Sequence, residues 1–193
     1  MFTKKLDVKM ENHMCPVWIG HLLASPLRKL FQSPTKILKP YIKEGNTVLD
    51  FGSAMGFFSI PMSKMVGANG RVVCVDVQQK MLDSLYQKAH RAHVASRITL
   101  QAGNADILAK FESNFDFALA FAVVHEVPDQ DNLLKGLYCS LKGGGRLLIA
   151  EPKGHVSQEA FAQTVIAAKN AGFAVVENPV IHKSWTGLLE KSA

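Results

Sequence analysis

Apolar residues along this chain fall into two alternating patterns. Short continuous runs predict strands, and runs spaced by threes and fours predict helices. The strand-like runs are Thr47–Phe51, Arg71–Asp76, Ile98–Gln101, Phe115–Val123 and Arg146–Ala150. Between them, Phe57–Val66, Gln78–Ala92 and Gln130–Leu141 read as helices, the second with Met81, Leu82, Leu85 and Ala89 on one face. Pro61 is compatible with a first helical turn. Ser157–Ala171 reads as a helix with Ser157 as its N-cap and Gly172 past its end. Phe173–Pro179 and Lys183–Glu190 read as a closing pair of strands. Upstream, Trp18, Leu22, Leu23, Leu27, Leu30 and Phe31 have amphipathic helical spacing, broken near Ser25-Pro26. Ser33-Pro34 starts a further short helix running to about Ile42.

Repeated strand–helix alternation predicts an α/β fold, a doubly wound and mostly parallel sheet of seven strands with right-handed crossovers. Residues 1–33 are expected as a helical cap or lid and residues 34–193 as the cofactor-binding domain. In such sheets ligands bind outside the carboxyl ends of the strands. The loops after Phe51, Asp76, Gln101, Val124 and Ala150 are therefore where chemistry is expected.

The length of 193 residues suits one domain with a substantial core. With 48% hydrophobic and 20% charged residues, the composition excludes a disordered or collagen-like chain. The longest apolar run, around Phe115–Val124, is about half of what a bilayer span needs. The first residues are charged and lack the apolar stretch of a secretory signal. Cys15, Cys74 and Cys139 match no zinc spacing; Cys74 in a strand pattern and Cys139 in a helical one read as core thiols, and reduced cysteines point to the cytoplasm. The net charge of +6 sits in residues 1–43, which hold eight basic and two acidic residues; residues 44–193 hold fourteen of each. That field suits an anionic partner, whether a carboxylated or phosphorylated substrate, a nucleic acid or an acidic lipid surface, and is equally what a solvated basic arm would show. Without a basic run or an aromatic-basic repeat, nucleic acid is not expected as a partner. Oligomeric state is not legible.

After the first strand comes Asp50-Phe51-Gly52-Ser53-Ala54-Met55-Gly56. Glycines permit a sharp turn and close backbone approach, and the following helix offers N-terminal amides to a ligand. Asp76 ends the second strand, 26 residues after Asp50. A carboxylate there accepts from a ribose diol or from the first turn of the next helix, and the two roles are compatible. Gly103-Asn104-Ala105-Asp106 follows the third strand, where Asn104 or Asp106 would meet an adenine amino group or simply form a turn.

Taken together these motifs resemble the class I S-adenosylmethionine-dependent methyltransferases, over roughly residues 34–190. Val48–Phe58 looks like the first motif, Asp76 like the ribose-binding acid and Asn104-Ala105 like the adenine-side loop. Leu141-Lys142-Gly143-Gly144-Gly145-Arg146-Leu147 looks like the turn into strand five. Val124-His125-Glu126-Val127-Pro128-Asp129 is similar to the small-molecule branch that includes the ubiquinone/menaquinone-biosynthesis type. The resemblance implies S-adenosylmethionine as cofactor and S-adenosylhomocysteine as product. It assigns cofactor contacts to Asp50, Gly52, Ser53, Ala54, Gly56, Phe57, Asp76, Val77, Gln78, Met81, Gly103, Asn104, Ala105 and Phe121. Two positions depart from the pattern: Ala54 replaces the middle glycine, and Asn104 replaces the acid of the adenine loop. A dehydrogenase would want Gly-x-Gly-x-x-Gly, which residues 52–56 do not supply.

The implied reaction is in-line methyl transfer to a small-molecule acceptor, in which the protein supplies position and electrostatics. His125 after strand four and His155 after strand five are candidate bases, and Glu126 is placed to orient a histidine or meet a cationic substrate. Trp18, Arg28 and Glu151 are candidate substrate contacts. His13, Cys15 and His21 give no ligand set, so no metal is expected, and Cys74 inside a strand cannot readily join Cys15 around arsenite. The alternatives are an RNA or protein methyltransferase, favoured by the basic N-terminal segment, and a non-catalytic binding module on the same fold.

Overall fold

The computed structural model describes residues 33–193. The expected cap, with Trp18 and Arg28, therefore lies outside the described residues apart from Ser33. The elements in chain order are α1 (Pro34–Leu38), β1 (Thr47–Phe51), α2 (Ser59–Met65), β2 (Arg71–Asp76), α3 (Gln79–Arg91) and β3 (Ile98–Ala102). They continue with β4 (Phe115–Phe121), α4 (Gln130–Ser140), β5 (Leu141–Pro152), α5 (Gln158–Asn170), β6 (Ala174–Glu177) and β7 (Ser184–Glu190). One seven-stranded sheet runs β3-β2-β1-β4-β5-β7-β6. β7 is antiparallel to both of its neighbours, and the other pairs are parallel.

Apolar clusters cover both faces of the sheet. One gathers Leu49, Phe115, Ala118, Leu147 and Leu189, and the other Val48, Val72, Phe117, Leu119 and Leu148. Central strands buried on both faces explain why β1, β2 and β4 lack polar alternation. α3 buries the four residues its spacing indicated. Order reverses between β1 and β4, which pair from Val48↔Phe117 to Phe51↔Ala120, so a crevice opens beyond Phe51 and Phe121.

The expected elements are present with shifted ends, and the shifts have physical causes. α2 begins at Ser59 rather than Phe57, because Gly56 turns through φ +84° just before it. β4 stops at Phe121, where Ala122 enters the left-handed region at φ +55°. Residues 142–145, expected as a turn, belong to an extended β5 that bulges away from β4. There Gly144 N–H donates to the Lys191 carbonyl and Lys191 N–H to that of Gly145, at 2.8 and 2.9 Å. Short 3₁₀ turns at Ala95–Arg97, Ala105–Lys110 and Val124–Glu126 were not expected.

Ser157 Oγ accepts from Ala160 N–H at 3.1 Å and starts α5. Ser157→Ala is expected to lower stability by about 1 kcal/mol. Urea denaturation reads this as a lower midpoint at unchanged slope, and an unchanged midpoint would contradict it.

Candidate active site

The loop after β1 is pinned to the end of β2. Gly52 and Ser53 N–H both donate to the Val75 carbonyl, at 2.9 and 3.0 Å. Gly52 turns at φ +75°, and a Cβ there would lie 2.5 Å from Val123 Cγ2. Its glycine character is thus required by the turn after β4 as well as by its own backbone. Ala54 stands in the left-handed region at φ +44°, a cost of roughly 1–2 kcal/mol for a residue with a side chain. Its N–H donates to Asp76 Oδ2 at 2.9 Å, which holds it there.

Asp76 Oδ1 accepts from Gln78 N–H at 2.9 Å, so both carboxylate oxygens already order backbone, and each keeps a further lone pair. Desolvation raises its pKa, against the lowering by the two amides of Gln78 and Ala54. Asp76 also holds the loop after β3, since Gly103 N–H donates to its carbonyl at 3.1 Å.

Beneath the loop, Asp50 is 2% exposed and accepts from the Ser59 hydroxyl. Burial pushes its pKa up to about 7, against the lowering by that hydroxyl. Ser53 Oγ is buried with no hydrogen-bond partner among the described residues. An orphaned buried hydroxyl is costly, and one placed in this loop is suited to a ligand's polar atom.

The remaining expected cofactor residues are placed unequally. Gln78 leads into α3, Val77 is exposed, and Met81 is buried on the inner face of α3. Ala105 is buried at the start of its 3₁₀ turn. Phe57 packs edge-on to Phe58, whose ring lies 4.5 Å from that of Phe121 between centroids. Asn104 Oδ1, expected toward adenine, accepts instead from Asp106 N–H at 3.0 Å and caps residues 105–110. Asp106 Oδ1 in turn accepts from Asn132 Nδ2 at 2.9 Å.

The ends of β4 and β5 bring His125, Glu126, Glu151 and His155 together. Glu151, expected as a substrate contact, is 1% exposed and fully engaged by protein. Its Oε1 accepts from Val123 and Val124 N–H at 3.1 and 3.0 Å, and its Oε2 pairs with His125 Nδ1. It therefore organises the turn rather than meeting a substrate. Orientation of His125, considered for Glu126, belongs to Glu151. The His125 and His155 rings meet edge to face, 6.0 Å between centroids. The hydrogen bond from the imidazole to Glu151 raises the His125 pKa, with desolvation opposing. Burial raises that of Glu126, which feels His125, Glu151, Asp76 and His155. Sequence reasoning missed the Val123 and Val124 amides. The available signal was an acid, Glu151, continuing an apolar strand that is buried on both faces.

A sheet with its crevice at the reversal of strand order, a glycine loop on one side and an aspartate ending β2, defines a nucleoside-cofactor-binding protein of the doubly wound class. The lone pairs of Asp76 and the unpaired Ser53 hydroxyl fit a ligand bearing a diol and further polar atoms. A family model described as a methyltransferase domain matches residues 42–192, and the chain belongs to that family.

The ubiquinone/menaquinone biosynthesis C-methyltransferase of Haemophilus ducreyi is 34% identical over 110 residues, covering 57% of this chain and 42% of that protein. The enzyme of the same name from Escherichia coli O1:K1 is 32% identical over 110 residues, with 57% and 44% covered. The match thus spans less than half the length of these relatives. A solved S-adenosylmethionine-dependent methyltransferase from Aquifex aeolicus superposes with a TM-score of 0.82 at 24% identity, covering 92% of this chain and 98% of that one. It has the same fold. Among the described residues no helix is long and apolar enough to cross a membrane.

Proposed function

We propose that this chain is an S-adenosylmethionine-dependent methyltransferase acting on a small-molecule acceptor in the cytoplasm. The observation that carries this is the placement of the glycine loop and Asp76 on one flank of the crevice and the His125–Glu126–His155 group on the other. When bound, the cofactor supplies an electrophilic methyl group on a sulfonium. Gly52, Ser53, Ala54, Gly56, Asp76 and Gly103 hold it, with Asp50 beneath and Phe57, Val77, Gln78, Met81, Asn104, Ala105 and Phe121 around it. His125, Glu126 and His155 face the acceptor. The balanced charge of residues 44–193 supports a small molecule over nucleic acid. Cys74 is buried as expected of a core thiol, whereas Cys139 is exposed rather than in the core; both are free, which supports a reducing compartment. The division at residue 33 and the role of Trp18 follow the resemblance, and the basic charge of residues 1–43 supports Arg28 as a contact to an anionic acceptor.

Calorimetric titration with S-adenosylhomocysteine tests the cofactor assignment. The wild type is expected to bind at micromolar concentration. Asp76→Ala removes hydrogen bonds to a charged acceptor, and affinity is expected to fall by about 30-fold or more. Absence of binding to the wild type at millimolar ligand would overturn the reading in favour of a non-catalytic module.

A further inference from the structure

We infer that Glu151 fixes His125 as the base of this site, with Nδ1–H turned into the protein and Nε2 presented to an acceptor whose reacting atom carries a proton. The inference rests on the methyl-transfer reading above and deepens it.

Glu151 belongs to a strand held on both sides. In β5, Ala150 pairs with Phe121 of β4, and Glu151 itself pairs with Trp185 of β7. Its backbone is thus fixed, and its carboxylate is enclosed. Two amides donate to Oε1, leaving Oε2 to accept from the imidazole. An ionised carboxylate is an acceptor only, so the nitrogen facing it carries the hydrogen. The neutral ring then has its lone pair on Nε2, on the side away from Glu151. The His125 side chain is 23% exposed, so that side is neither sealed in the core nor free in solvent.

Both Val123 and Val124 are set by the same carboxylate. Glu151 therefore shapes the turn after β4 and aims the ring with one group. A buried carboxylate with a missing partner is expensive, which makes the three bonds mutually reinforcing.

In the proton step, the acceptor's proton passes to Nε2 and the electron pair that held it stays on the acceptor atom. The imidazolium that forms is stabilised by Glu151 and loses its proton to water afterwards. The charged and titratable groups facing His125 are Glu151 and Glu126, with His155 edge-on to the ring and Asp76 beyond Glu126. Glu151 and Glu126 favour the protonated ring, and desolvation opposes it. The base is therefore free above its raised pKa and blocked below it. An acceptor with no proton to lose, such as a thioether, would have no use for this arrangement.

The test uses the full chain labelled with ¹⁵N-histidine, the His125 resonances being assigned by their loss in His125→Asn. Ring nitrogen shifts are expected to show the Nδ1–H tautomer in the wild type, titrating above 6.5. Glu151→Gln keeps an oxygen for the two amides but turns an N–H toward Nδ1. The ring is expected to switch to the Nε2–H tautomer and its pKa to fall, because the charged hydrogen-bond partner that raises it is gone. Unchanged S-adenosylhomocysteine binding in Glu151→Gln would separate this effect from a damaged cofactor site. An Nε2–H tautomer in the wild type overturns the inference without any variant, as does a folded Glu151→Gln with unaltered tautomer and pKa. Failure of the wild type to bind S-adenosylhomocysteine removes the methyl-transfer reading and leaves the tautomer result standing.

Discussion

Gly52→Ala is expected to disable the cofactor loop and to cost roughly 2–5 kcal/mol of stability. Two causes add. The added Cβ would lie 2.5 and 2.7 Å from Val123 Cγ2 and Cβ, well inside contact distance. Overpacking of that kind costs about 1–3 kcal/mol. A side chain at φ +75° adds a left-handed penalty of about 1–2 kcal/mol. Val123 has limited room to retreat, because its N–H is held by Glu151, whose Oε1 also receives Val124 N–H. The strain therefore passes from the cofactor loop into the turn that carries His125. S-adenosylhomocysteine affinity is expected to fall at least about tenfold, together with the denaturation midpoint.

Val123→Ala separates the two causes. Added to Gly52→Ala, it removes both Cγ atoms from the clash and leaves the 2.7 Å contact with Val123 Cβ and the backbone penalty in place. The double variant is expected to recover part, but not all, of the lost stability. Full additivity of the two changes would show that the residues do not meet, and would contradict the contact.

Much of this arrangement was legible in the chain because its signals are local. β1 and β2 have the limits expected of them, since Thr47–Phe51 and Arg71–Asp76 are apolar runs bounded by turn residues. Ser157 and Gly172 mark the ends of α5 through chemistry confined to a few residues. The placement of Asp76 at a strand end followed from the same alternation. What was not legible depends on partners distant in sequence. Glu151 and His125 are 26 residues apart, and only the β4–β5 pairing shows that the acid turns inward to the histidine rather than outward to a substrate. Asn104 was ambiguous for the opposite reason. Its partner, Asp106, is two residues away, and an Asx-type cap competes with any ligand for the same oxygen. The glycine-rich residues 142–145 suggested a free turn, yet Gly144 and Gly145 bond to Lys191, almost fifty residues on.

The stability of the wild type relative to Asp50→Asn is expected to grow as the pH falls from about 8 toward 4. Asp50 is buried in β1, bonded to the Ser59 hydroxyl, and burial lifts its carboxyl from 3.8 to about 7 in the folded protein. The folded pKa lies above the unfolded one. Protonation therefore contributes stability that is full below about 4 and is lost as the pH rises through about 7. The shift corresponds to at most about 4 kcal/mol across that window. Asparagine does not titrate, and any fixed cost of its second amide hydrogen cancels because only the change with pH is compared. Groups that do not interact with Asp50 titrate alike in both proteins and cancel. Urea denaturation of the ligand-free chain at pH 8, 6.5 and 5 reads the gap directly. A gap that stays constant would place the Asp50 pKa near its ordinary value, and would mean that Ser59 and the surrounding loop stabilise the buried charge far better than burial penalises it. A gap that widens as expected would make the floor of the cofactor loop a proton-binding site. The charge beneath Gly52 and Ser53 would then change with pH.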